Sequence, residues 1–319
     1  MDPPRRIADY SEHSHARSPH RIINVTVRGL CQCSHNQVER LNVQKGFAHP
    51  PWGHICRLAY CDGIYPPTVW RISSDTVLKR TDESPFEPYT MLLVSSTTTI
   101  PIPKVRKYVT WKSDVWVFME YIEGRTLEEA WPSLSITTKL WIAWTLRGYI
   151  HQLRRVPLPT PRIPGPIDGS GQPRQCIGCY FAEDLGAGPF ASYKELVAWY
   201  DRKADLAVRI DHRMSQARGQ SPSLSDNLVF DDTAPLVFTH GDIALRNLIF
   251  GDDGRLWLID WGCSGVYPQF FEYACMATYR NNSAPRLWRW LIPFMAGWYR
   301  SQLSYLQSLT EALMLYGVD

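Results

Sequence analysis

The chain has 319 residues and a mass of 36.7 kDa, more than one compact domain usually holds and too few for three, so two packed lobes are expected. Hydrophobic residues at 45% and charged residues at 20% exclude wholesale disorder. Seven Lys/Arg against four Asp/Glu in residues 1–54 account for the whole net charge of +3, and the balanced remainder argues against a nucleic-acid partner.

The chain starts Met-Asp-Pro-Pro-Arg-Arg and continues polar, without the apolar run of a secretory signal. No stretch approaches the roughly 18 apolar residues of a membrane span. A cytoplasmic protein with no membrane partner is expected, its eight cysteines kept as thiols. Residues 1–50 hold five of the nine histidines and read as a poorly packed extension. Residues 51–121 form the expected small lobe. Val69–Ile72 and Thr76–Lys79 flank Ser73-Ser74-Asp75 as two strands and a turn, and Val105–Thr110 and Val115–Tyr121 make a second hairpin around Lys112-Ser113-Asp114. Alternation in Val115, Val117 and Met119 suits a half-buried strand, and Tyr89–Val94 fits a helix between the hairpins.

Residues 122–319 read as the larger, mainly helical lobe of an α+β protein. Ser135 is placed to cap a helix with an apolar stripe Ile136, Leu140, Ala143, Trp144, Ile150, Leu153, and Trp141 and Trp144 are expected in the core. Six Pro and three Gly make residues 157–173 an irregular loop; a helix over Ser192–Ile210 turns Leu196, Trp199 and Leu206 inward, and residues 212–235 are read as loop. Arg286–Leu315 is helical again.

The chemistry concentrates in Thr239-His240-Gly241-Asp242-Ile243-Ala244-Leu245-Arg246-Asn247 and the segment that follows it. Gly251–Gly254 is turn material between apolar runs 248–250 and 256–259, so these pair as a hairpin. Asn247 and Asp260 then share its open end, with Asp242 on a loop curling over it. Two carboxylates and an amide oxygen converging there suit a hard divalent cation such as Mg²⁺.

His-x-Asp with Asn five residues after the Asp, and a later metal-binding Asp, is the spacing of a kinase catalytic loop. The segment resembles the aminoglycoside phosphotransferase family of kinase-like small-molecule phosphotransferases, of the fungal type. Val77-Leu78-Lys79, Phe118-Met119-Glu120-Tyr121-Ile122-Glu123-Gly124 and Tyr267-Pro268-x-x-Phe271-Glu272-Tyr273 carry the likeness further, over roughly residues 54 to 300. The resemblance implies a two-lobed protein-kinase-like fold with a nucleotide-binding small lobe, a catalytic larger lobe, and ATP and Mg²⁺ as cofactors. It implies a hydroxyl-bearing small molecule as acceptor: aminoglycoside-, choline- or other metabolite-like. Asp242 would take the acceptor proton, braced by His240 and Arg246 of the same catalytic loop. Asn247 and Asp260 would hold Mg²⁺; Lys79, fixed by Glu87, would hold the phosphates; backbone groups of Glu120 and Ile122 would pair with adenine. The alternative is a catalytically silent kinase-like nucleotide-binding or interaction module.

Several features depart from a protein kinase. No Gly-x-Gly-x-x-Gly precedes Lys79, where Gly63 stands alone, and Glu272 follows Asp260 by only twelve positions, too few for a peptide-docking segment. Cys176-x-x-Cys179, and Cys31-x-Cys33 with His35, are read as thiols rather than zinc ligands because their spacing is irregular. Glu272 is expected in a buried ion pair. Acidic Glu183, Asp184, Asp201 and Asp205 are the candidates to attract an amine.

Overall fold

The computed structural model describes residues 68–81, 86–111, 114–181, 186–278 and 284–314. The expectations placed on residues 1–50, Gly63, the Lys112-Ser113 turn, Glu183 and Asp184 lie outside them. Strands β1 (Val69–Arg71), β2 (Thr76–Thr81), β3 (Val105–Trp111) and β4 (Asp114–Glu120) form an antiparallel sheet in the order β1-β2-β4-β3, with helix α1 (Phe86–Thr97) between β2 and β3. The β1–β2 turn closes through side chains: Arg71 donates to the carbonyls of Ser73 (3.1 Å) and Ser74 (2.6 Å), and the Ser73 hydroxyl donates to Asp75 (2.7 Å). In β4 the expected alternation is only half of the pattern. Val115, Val117 and Met119 face the main core, but Trp116 is buried too, on the opposite face, stacked on Trp70 at 5.8 Å beside Leu78.

Beyond β4 the chain runs through β5 (Gly124–Thr126), α2 (Leu127–Ala130), α3 (Ile136–Leu153) and α4 (Tyr193–Arg218) to β6 (Leu236–Thr239), β7 (Leu248–Gly251), β8 (Leu256–Leu258) and β9 (Gly265–Pro268). It ends in α5 (Phe271–Met276), α6 (Arg286–Ala296), α7 (Arg300–Ser308) and α8 (Thr310–Leu313). The small sheets are β5-β7-β8 and β6-β9. One apolar cluster joins Val77, Met91 and Val117 of the small lobe to Ile142, Leu146, Leu258 and Trp288 of the large one; a second gathers Phe181, Leu196, Tyr200, Phe271 and Leu306. No helix among the described residues is long and apolar enough to cross a membrane.

Helix α3 starts where expected, with the Ser135 hydroxyl accepting from the Thr138 amide at 3.1 Å. Its buried face agrees with the expected stripe at Ala143, Ile150 and Leu153 and departs from it at Ile136, Leu140 and Trp144. Ile142, Ala143, Leu146, Tyr149, Ile150 and Leu153 are buried, whereas Ile136, Leu140, Trp141 (43% exposed) and Trp144 (68% exposed) face outward. The ridge 136-140-144 and the ridge 142-146-149-153 both have helical spacing; the large lobe packs on the second. Helix α4 turns Leu196, Trp199 and Leu206 inward as expected but runs on to Arg218, where Gly219 ends it in the left-handed conformation (φ 66°), so the loop begins at 219 rather than 212.

Candidate active site

Ribbon β7–β8 pairs Leu248 with Leu258, and the Ile259 amide donates to the Asn247 carbonyl at 3.0 Å. Asn247 and Asp260 therefore flank the same end of the ribbon. Upstream, β6 delivers His240, Gly241 and Asp242. Gly241 has φ 77°, and a Cβ there would stand 2.5 Å from the Cys263 carbonyl, so only glycine fits the bend. Arg246 donates to Asp242 Oδ1 at 2.5 Å, and the Asn247 side-chain amide donates to both the carbonyl and Oδ2 of Asp242 at 2.8 Å. These bonds fix the Asp242 carboxylate and turn the Asn247 side-chain oxygen away from it. Burial pushes the Asp242 carboxyl up, nearby Asp260 adds to this, and Arg246 opposes it.

His240 is fully buried with its ring edge-on to Trp261 at 4.6 Å. Its Nδ1 accepts from the Asp242 amide (3.2 Å), so Nε2 carries the proton and donates to the Ile259 carbonyl (3.1 Å). The imidazole ties the loop to the ribbon in its neutral form, and burial lowers its pKa to about 4. Because the unfolded chain binds this proton more readily, the contribution of neutral His240 to stability is full above pH ~6.5 and is lost as pH falls toward 4, worth about 3 kcal/mol. The difference in unfolding free energy between wild type and a His240→Leu variant should shrink by that amount on acidification; a constant difference would contradict the assignment.

Glu272, at the start of α5, is not in an ion pair of hydrogen-bonding length among the described residues. Its Oε2 accepts from the His240 amide (2.7 Å) and its Oε1 from the Gly241 amide (3.2 Å), clamping the backbone of the bend. Burial pushes its carboxyl up to about 7 while these two donors, and Arg154 nearby, pull it down. Its place in Phe-Glu-Tyr-Ala was the available signal: a lone carboxylate in an apolar helix needs donors, and backbone amides supply them as well as a cation does. The bend at Gly241 itself had no such signal beyond the glycine.

From the small lobe, Lys79 on β2 reaches Glu87 Oε1 at 2.6 Å and Asp260 Oδ1 at 2.7 Å. Glu87 sits in the first turn of α1, where a carboxylate is favoured and Pro88 costs no helical hydrogen bond. Burial opposes the Lys79 charge, but the two carboxylates outweigh it and hold the ammonium firmly protonated. Lys79 in turn depresses the Asp260 carboxyl, while burial, with Asp260 adding, raises Glu87. Asp260 is the only non-glycine with positive φ (64°) among the described residues, a backbone strain that aims its carboxylate at Lys79. At the end of β4 the Glu120 amide donates to the Lys104 carbonyl at 3.0 Å, and Ile122 is buried in the connection to β5.

Among the described residues no group of three or more His, Cys, Asp or Glu side chains is arranged to hold a metal. Asp260 and Asn247, at the same end of the ribbon, are oxygen donors of the kind Mg²⁺ takes, an ion that commonly uses one or two carboxylates and completes its shell with phosphate and water. Asp201 and Asp205 lie one turn apart on α4, and burial, then the charges of Asp205 and Asp232, raise the Asp201 carboxyl. Cys176 is buried and Cys179 half-buried, and neither is in a disulfide.

A four-stranded sheet whose lysine meets a helix glutamate, set against a loop-and-ribbon site on a larger helical lobe, is the frame of the protein-kinase-like phosphotransferases. The profile of the Phosphotransferase enzyme family (APH) matches residues 62–303, and the chain belongs to that family. No curated protein matches it. Among solved structures it is similar to spectinomycin phosphotransferase APH(9)-Ia in complex with ADP and spectinomycin (13% identity, 79% of each chain covered, TM-score 0.43). It is also similar to the gentamicin complex of APH(2")-IIa (17% identity, 89% of this chain and 99% of that one, TM-score 0.40). A third is choline kinase LicA from Streptococcus pneumoniae (13% identity, 77% of each chain, TM-score 0.38).

Proposed function

We propose that the protein transfers the γ-phosphate of ATP, as its Mg²⁺ complex, to a hydroxyl of a small molecule. The observation that carries this reading is the joining of the two lobes at one point: Lys79, held by Glu87, touches Asp260 at the ribbon end that also presents Asn247 and, through it, Asp242. In this reading Lys79 binds phosphate oxygens, the Glu120 carbonyl and Ile122 amide meet adenine, and the small and large lobes divide near residue 121. Asp242 orients the acceptor hydroxyl and receives its proton, with Arg246 and Asn247 fixing its two oxygens. Mg²⁺, held by Asn247 and Asp260, would supply neutralisation of charge on the transferring phosphoryl group.

A small acceptor is favoured over a peptide because the interval after Asp260 is consumed by a 3₁₀ turn (Trp261–Cys263) and by β9, which pairs with β6 before α5 begins. Aminoglycoside-, choline- and other metabolite-like alcohols are the classes to screen by ADP release. Thermal unfolding gives the direct test: ATP should raise the melting temperature only with Mg²⁺ present, and Asp260→Ala should abolish the rise. At about 100 Kd of nucleotide the stabilisation is about 2.7 kcal/mol. No shift in the wild type would refute nucleotide binding; a shift with no ADP release from any acceptor would leave a binding module.

A further inference from the structure

The outward side of α3 and α6 carries the most exposed tryptophans among the described residues. Trp144 on α3 packs on Phe294 of α6 at 5.9 Å, and Arg147 lies over the same Phe294 ring at 5.1 Å and donates to its carbonyl. One helical turn before Phe294, Trp290 is 78% exposed, and Ile136, Leu140 and Trp141 extend the apolar ridge along α3. Just beyond α6, Trp298 is 68% exposed with Arg300 at 5.8 Å from its ring. Singly exposed hydrophobes need no explanation, but a connected ridge of them does.

The charge around this ridge is one-sided. Residues 135–156 hold Lys139, Arg147, Arg154 and Arg155, residues 284–309 hold Arg286, Arg289 and Arg300, and neither stretch contains an Asp or Glu. The chain as a whole has 34 basic and 31 acidic residues, so seven against none is a local segregation. Arg286, Arg289, Arg155 and Arg300 are exposed. Carboxylates on adjoining elements are Glu128 and Glu129 on α2 and Asp252 and Asp253 in the β7–β8 turn, the last beside Arg255 at 3.6 Å.

We propose that the α3–α6 face docks on an anionic lipid surface. Indole rings favour the boundary between headgroups and acyl chains, and a helix with Trp and Phe on one ridge flanked by arginines lies in that boundary without crossing it. Each cation near a negatively charged leaflet adds attraction, and the lack of Asp and Glu in residues 135–156 and 284–309 confines repulsion to the carboxylates of the adjoining elements. The residues project outward rather than lining a groove, which suits a continuous fluid surface better than a partner protein whose anchors fill pockets. This docking is independent of the phosphotransferase reading.

The test is sedimentation of the purified full chain with vesicles of phosphatidylcholine alone and with about 30 mole per cent phosphatidylserine. The protein should pellet with the anionic vesicles, less so as salt rises. Arg286→Glu with Arg289→Glu, and separately Trp144→Ser with Trp290→Ser, should each weaken partition by about tenfold or more. All four positions lie outside the site, so the melting temperature and its response to Mg²⁺ and ATP serve as controls for folding. Equal pelleting with neutral and anionic vesicles, or partition unaffected by both double variants, overturns the proposal. So does a concentration-dependent dimer without vesicle binding that Trp290→Ser dissociates, since a second copy would then be the occupant.

Discussion

Replacing Asp242 by Asn is expected to lower turnover by about 10²–10⁴-fold, the range for losing a positioned general base. The substitution keeps the shape of the side chain, and the clamp of Glu272 on the neighbouring amides does not depend on it. One of the two groups now facing the carboxylate, Arg246 or the Asn247 amide, would meet an NH₂ instead of an oxygen, so stability should fall by about 1–3 kcal/mol without loss of the fold. Nucleotide affinity, measured by the Mg²⁺-ATP melting shift, should change little, because Asp242 is assigned to the acceptor side. Steady-state ADP release from any active acceptor reads the first quantity; equal turnover in variant and wild type would remove Asp242 from the reaction.

The second large effect concerns Lys79→Met, which removes the ammonium lying between Glu87 and Asp260. Two carboxylates would then face each other without a counter-ion in a site where the Lys79 and Glu87 side chains are 16% and 3% exposed. Breaking such an arrangement from one side costs about 3–5 kcal/mol, and the more open Asp260 places the expectation near the lower end. The pH dependence should change sign. In the wild type the Asp260 carboxyl is depressed by Lys79, so its contribution is present above the ordinary carboxylate range and lost as pH falls. Without Lys79 the pair shares a proton, its pKa is raised, and the contribution is present in acid and lost as pH rises toward neutrality. Denaturant unfolding of both proteins from pH 7 to 5 should show the variant gaining on the wild type. Parallel lines would show that the two carboxylates are not coupled through Lys79.

Much of the site was legible because its determinants are local. The turn Gly251–Gly254 sets the β7–β8 register, and the register places residue 247 opposite residue 259 whatever the rest of the chain does. The Lys79–Glu87 pair came from the family resemblance, with Pro88 merely compatible with a helix start at Glu87, and only the tertiary fold could bring Asp260 to the same nitrogen. The misses are of another kind. Helix α3 has two ridges with equally good spacing, and the expected stripe mixed them: Ala143, Ile150 and Leu153 belong to the covered face, whereas Ile136, Leu140 and Trp144 belong to the outward one. Glu272 was recognised as buried but given a cation, because backbone donors leave no mark in the sequence. The end of α4 at Gly219 rather than near residue 210 was missed because residues 211–218 are mostly polar and their one large apolar residue, Met214, is exposed, and an exposed helical turn looks like loop when only apolar periodicity is followed.

Lys79 meets both carboxylates, and under the proposed function this sets Asp260 and the nucleotide phosphates in competition for one ammonium. A phosphate approaching Lys79 has to displace Asp260, and Asp260, once displaced, becomes an uncompensated anion with an affinity for cations that it lacked before. Nucleotide and magnesium should therefore each be poor ligands separately and strong ones together, their synergy set by a single shared lysine.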